Sequence, residues 1–81
     1  MPSRSELPSG LSRTRFMKAL VRLGFEIDKT GGSGSHYKVT WPKNQKSITL
    51  PHRFDKDVLY YILKEIEKVT GVTWDEIRKR L

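Results

Sequence analysis

The chain has no cysteine, which excludes disulfides and thiolate metal sites. It has only two histidines, His36 and His52, and no His-x-x-x-His pair, so the usual spacings of a zinc site are missing as well. Long apolar runs are also missing. None approaches the roughly 18 residues that a bilayer-spanning helix needs, and Met1 to Ser12 carries Arg4 but no apolar stretch of the kind that marks a secretory signal. These absences lead to the expectation of a cytoplasmic domain with no metal, no cofactor and no membrane contact. Acidic residues are in short supply too. Nine Asp and Glu stand against sixteen Lys and Arg, a net charge of +7 on 81 residues. A field of that sign on so small a domain attracts polyanions, nucleic acid first among them, with an acidic protein as the alternative partner.

The remaining residues suit one small globular domain, with 36% hydrophobic and 31% charged. Residues 1–11 contain two prolines, three serines and a glycine without an apolar period and read as a flexible arm, leaving 12–81 as the domain. Ser12 is positioned to cap a helix over 13–23, in which Phe16, Leu20 and Leu23 recur at helical spacing and Met17 and Val21 widen the stripe. Gly24 follows, where helices commonly end. Arg15, Lys18 and Arg22 make a basic row on that helix, either a solvated face or a contact for phosphate.

Alternation over 25–30, 35–41 and 46–50 predicts three short strands. Gly31-Gly32-Ser33-Gly34 turns between the first two, and Pro42 to Gln45 between the second and third. Tyr37, Val39, Trp41, Ile48 and Leu50 fall on the inward parity. His36, Lys38, Thr40, Ser47 and Thr49 fall on the other, joined by Glu26 and Asp28 if the first strand keeps its own apolar residues inward. A simple four-residue first loop would turn 25 and 27 to the face of 36 and 38, so a loop one residue longer or a bulge is needed. Asp55 or Asp57 caps a second helix running to about Val69, and Thr73-Trp74-Asp75-Glu76 opens a short last one with a capping box. The predicted fold is α+β, in the order α-β-β-β-α: a three-stranded antiparallel sheet with two helices on one face and a short C-terminal helix.

Several chemistries fit poorly. The glycine-rich stretch lacks the Lys-Ser/Thr that a phosphate loop requires and opens no helix. Ser35 and His36 are strand neighbours pointing to opposite faces, which does not make a nucleophile–base pair. Asp55-x-Asp57 reads as a helix start, not a metal clamp. RNA cleavage is different, because it needs only a group to take the 2′-OH proton and another to protonate the leaving 5′-oxygen, and imidazole serves either role near neutral pH. His36 is the candidate acid or base. Lys38, two residues on, is a candidate phosphate contact, and Gly34 and Ser35 are candidate backbone or hydroxyl donors. His52 is a secondary candidate, with a helix-initiating loop residue as its plainer reading. On residues alone, His36 reads equally as an ordinary surface histidine.

Four segments in order, Leu20-Val21-Arg22-Leu23-Gly24-Phe25-Glu26, Gly34-Ser35-His36-Tyr37-Lys38, Ile48-Thr49-Leu50-Pro51-His52 and Leu59-Tyr60-Tyr61-Ile62-Leu63-Lys64, resemble the HicA, or YcfA-like, toxins over residues 12–69. The resemblance implies a double-stranded-RNA-binding-like fold and a metal-independent mRNA endoribonuclease of a type II toxin-antitoxin system. It also implies a HicB-type antitoxin as partner and His36, in Gly34-Ser35-His36, as the catalytic histidine. Departures from the family pattern are Tyr37, where a second basic or imidazole residue is common, and Asp55-Lys56-Asp57-Val58, in place of a Pro-Gly-Thr-type segment. The same fold without catalysis would make an RNA-binding module. A basic surface used only for docking would bind an acidic protein, with Phe54, Tyr60 and Trp74 as candidate contacts.

Overall fold

The computed structural model describes residues 2–28 and 37–81. Helix α1 spans Arg13–Arg22, strands β1, β2 and β3 span Glu26–Asp28, Tyr37–Trp41 and Lys46–Leu50, helix α2 spans Lys56–Thr70 and helix α3 spans Trp74–Arg78. The α+β order expected from the sequence is therefore present. The sheet is antiparallel in the order β1-β2-β3. Of the expected strand positions, 29, 30, 35 and 36 lie outside the described residues, as does the glycine-rich turn.

Each helix begins and ends for a local reason. The Ser12 side chain accepts a hydrogen bond from the Arg15 N–H at 3.2 Å, satisfying one of the first-turn donors that α1 cannot pair internally. Asp55 does the same for α2, accepting from the Val58 N–H at 2.9 Å. For α3, the Glu76 carboxylate reaches back to the Thr73 N–H at 3.2 Å. Gly24 follows α1 at φ +108° and Gly71 ends α2 at φ +80°, backbone conformations that side chains with a Cβ disfavour.

The strand register settles the parity question raised by the sequence. Ile27 lies opposite Val39, and Val39 opposite Ile48, so both apolar sets point to the same side. A four-residue first loop would have set Ile27 against Lys38 instead. On the inward side, Val39 and Leu50 meet Phe16 and Leu20 of α1 and Leu59, Leu63 and Ile66 of α2, all essentially without solvent contact. Phe25 packs on Trp41 with ring centroids 4.5 Å apart. The β2–β3 turn is tied to the end of α2 by Asn44, whose amide donates to the Val69 carbonyl at 2.8 Å.

Four expectations meet a different outcome. The segment read as a flexible arm carries a 3₁₀ turn at Arg4–Glu6 and buries Leu7 and Leu11 in the core, with Arg4 paired to Asp57 at 3.3 Å. Two leucines four apart make no period, so their burial left no pattern to detect. Val21, counted in the apolar stripe of α1, is 53% exposed, because it lies about 100° around the helix from Leu20. Trp74, considered as an exposed contact, is buried with Ile77 where α3 meets α1. Phe54 and Tyr60 pack partly against the core, and among the described residues the exposed large apolar side chains are Val21 and Tyr61. No helix among the described residues is long and apolar enough to cross a membrane.

Two outcomes test this packing. Leu7→Ala is expected to cost about 2 to 5 kcal/mol in denaturant unfolding, the usual loss for a buried leucine, whereas a free arm would lose nothing. The Val58 N–H is the largest influence on the Asp55 carboxyl; desolvation opposes it, and the Arg53 guanidinium adds to the lowering, so the group lies below its ordinary value of 3.8. A carboxyl depressed in the folded chain stabilises fully above its unfolded value and loses that contribution as pH falls through the folded one. Asp55→Asn keeps the cap but does not titrate. The melting-temperature gap between parent and Asp55→Asn is therefore expected to be constant near neutrality and to close as pH falls below about 4.

Candidate nucleic-acid interface

Alternation along the strands builds the outward face of the sheet. Across it run two rows, Asp28–Lys38–Thr49 and Glu26–Thr40–Ser47, set by the register of all three strands. Thr40 and Ser47 share a hydroxyl–hydroxyl hydrogen bond of 3.0 Å. Lys38 is exposed and stands between an acid and a threonine. Among the described residues no helix covers this face, since α1 and α2 pack on the other.

Tyr37 pairs with Leu50, so the start of β2 and the end of β3 meet at one end of the sheet. The first residue of α1 reaches the same place. The Arg13 guanidinium lies 4.2 Å from the centroid of the Tyr37 ring and donates to the Pro51 carbonyl at 3.2 Å. His52 follows Pro51 and is exposed. One turn further along α1, Phe16 contacts Phe54 with ring centroids 5.4 Å apart, so the connection from β3 to α2 is fixed to α1 by packing as well. Arg53 pairs with Asp55 at 2.7 Å, next to the cap of α2.

The basic row of α1 is present, with Arg15, Lys18 and Arg22 all exposed. It does not share a face with Lys38, because α1 lies on the inward side of the sheet and Lys38 on the outward side. Arg22 donates to the Arg80 carbonyl and so joins the chain's C-terminal end to α1. Beside the row, Met17, Val21 and Ile27 line a shallow groove of about 400 Å³ rimmed by Lys18 and Arg22. Gly34, Ser35 and His36 lie outside the described residues. Lys38 and His52 come to the same end of the sheet, whereas Arg22 sits at the far end of α1, about 14 Å along its axis from Arg13.

The sequence reading passed over Arg13, whose charge looks like any other on a basic helix. The signal for it was indirect. A cation in the first turn opposes the helix dipole, and α1 has no acid there to offset it. The charge distribution itself is lopsided. Helix α1 carries four cations and no acid, while the three cations of α2 are matched by three acids. Among the described residues, no group of three or more His, Asp or Glu is arranged to hold a metal ion.

No curated protein and no solved structure matches the chain. A family profile described as the HicA toxin of bacterial toxin-antitoxin systems does, over residues 13–72. That span runs from the first residue of α1 to just beyond α2 and takes in the whole sheet, Gly34-Ser35-His36 and His52, while α3 and the segment bearing Leu7 and Leu11 lie outside it. The chain belongs to the HicA toxin family.

Proposed function

We propose that this toxin is a metal-independent mRNA endoribonuclease with His36 as its general acid or base, neutralised by a HicB-type antitoxin. The observation that carries the reading is the family match, because the matched span contains Gly34-Ser35-His36. The chemistry asks little of the protein beyond proton transfer and charge stabilisation. The 2′-OH loses its proton and bonds to phosphorus, the phosphorus–5′-oxygen bond breaks, and the departing oxygen takes up a proton. His36 performs one of these transfers, and His52, carried at the same end of the sheet as the start of β2, is the secondary candidate for the other. Lys38 balances charge on the phosphate, with Gly34 and Ser35 as donors beside it.

Substrate approach is supported by the charge distribution. Arg15, Lys18 and Arg22 line an acid-free helix that starts at the end of the sheet where β2 begins. A backbone lying along α1 meets cations spaced over two to three turns before reaching that end. A role on mRNA places the chain in the cytoplasm.

Induced expression of the parent is expected to arrest growth and fragment mRNA, and His36→Ala to abolish both while keeping the circular dichroism spectrum and antitoxin binding. Salt-dependent RNA binding without fragments, equal in parent and His36→Ala, would make the chain an RNA-binding module instead. No binding at physiological salt would leave only protein docking. Replacing Arg15, Lys18 and Arg22 singly by Ala is expected to lower the slope of log affinity against log salt by about 0.7 to 1 each, the signature of one lost phosphate contact.

A further inference from the structure

We propose that Arg13 is a positioning residue, one that fixes the two histidine-bearing segments of the chain against each other and against α1. The guanidinium is held on two sides. Its Cζ lies over the Tyr37 ring, 4.2 Å from the centroid, and one of its amino groups donates to the Pro51 carbonyl at 3.2 Å. Tyr37 directly follows His36 in the chain and Pro51 directly precedes His52, and these are the chain's only histidines. A single side chain therefore touches the residue next to each imidazole.

The contacts suit a fixed spacer better than a substrate contact. The Pro51 carbonyl lies just past the end of the β3 ladder and needs a donor, which Arg13 supplies from another element. The bond is partly buried, unlike the exposed Arg15, Lys18 and Arg22. Arginine is also the residue the geometry requires. Its planar fork stacks on a ring and donates in its own plane at once, whereas a lysine ammonium offers a point charge that cannot hold both contacts in the same way. Phe16 against Phe54 presses the β3–α2 connection onto α1 without directional bonds. Arg13 adds the direction. Misplacement of a proton-transfer group by about 1 Å costs up to a hundredfold in rate, so a spacer of this kind acts on turnover.

The activity arm of the test rests on the RNA-cleaving reading; a spectroscopic arm does not. With two histidines, the folded chain gives two imidazole Cε1–H signals. In the purified full chain, Arg13→Lys is expected to shift both signals while the methyl signals of Leu20, Leu50 and Leu63 stay in place. On a synthetic single-stranded RNA it is expected to lower kcat about tenfold or more with KM within about twofold. Tyr37→Phe, which keeps the ring under the guanidinium, should cleave near the parental rate. Arg13→Lys combined with Tyr37→Leu should lose less than the sum of the two single losses, because the two share the ring contact. Imidazole signals that stay unmoved in Arg13→Lys overturn the proposal whether or not the chain cleaves RNA. So does a raised KM with unchanged kcat, which would make Arg13 a phosphate contact. A parent chain that binds but does not cleave RNA would remove the RNA-cleaving reading, and cleavage retained in His36→Ala would remove only the role of His36; in either case the spectroscopic result decides the role of Arg13. Should Tyr37→Leu fail to fold, the charge-conserving Arg13→Lys decides alone.

Discussion

The row Ile27–Val39–Ile48 is the constraint from which the other placements follow. In an antiparallel sheet one residue of slip turns every side chain of a strand to the opposite face. With this register, Ile27, Val39, Ile48 and Leu50 all reach the helices. A slip between β1 and β2 would set Ile27 beside Lys38 on the solvated side and turn Glu26 and Asp28 toward the apolar core, where burying two carboxylates is costly. The register also decides which chemistry is exposed. Lys38 is available at the surface because Val39 is not.

That division separates two kinds of positive charge. On the outward face of the sheet Lys38 shares a row with Asp28 and lies one row from Glu26, so the local field is weak. On the helical side α1 has no acid at all. In the proposed function the attraction for a polyanion therefore belongs to α1, while the groups proposed to act on a phosphate belong to the sheet and its loops. The two sides meet where α1 begins, at the end of the sheet holding Tyr37, Pro51 and Arg13. A strand of RNA drawn along the helix and delivered to that end would not have to cross the acidic part of the sheet.

Much of this arrangement was legible in the residues, and for local reasons. Ser12, Asp55 and Glu76 announce helix starts because their side chains do the capping themselves. Gly24 and Gly71 announce ends because each takes a positive φ. Strand parity could be read once both apolar sets were required to face one core. Contacts between segments distant in sequence could not be read so directly. Leu7 and Leu11 are too few to show a period, and Trp74 gave no sign that α3 would fold it against α1. Val21 was assigned to the core by residue type although its angular position points elsewhere. Arg13 is the sharpest case, since its ring and carbonyl partners lie 24 and 38 residues away and nothing local distinguishes it from Arg15. The candidate site divided in the same way. His36 is proposed through Gly34-Ser35-His36, a string of neighbours, whereas a second group to work with it would depend on tertiary placement.

The C-terminal segment, Thr73 to Leu81, fits the same division of charge. All of α3 lies outside the span that matches the family profile, yet Trp74 and Ile77 are buried and α3 packs on α1, so this end is held firmly. Its two acids are occupied locally. Asp75 pairs with Arg78 at 3.1 Å and Glu76 caps the helix. Lys79 and Arg80 then follow, both exposed, and the bond from Arg22 to the Arg80 carbonyl sets them at the far end of the basic row. Lys79 and Arg80 thus extend the basic surface of α1 at the end away from Tyr37 and Pro51, while Trp74 and Ile77 bury apolar surface that stabilises the segment's placement. A tail serving only stability would need Trp74 and Ile77 but not this run of cations. Anchoring it through Arg22, itself part of the row, ties the lengthened surface to the helix that leads toward the end of the sheet.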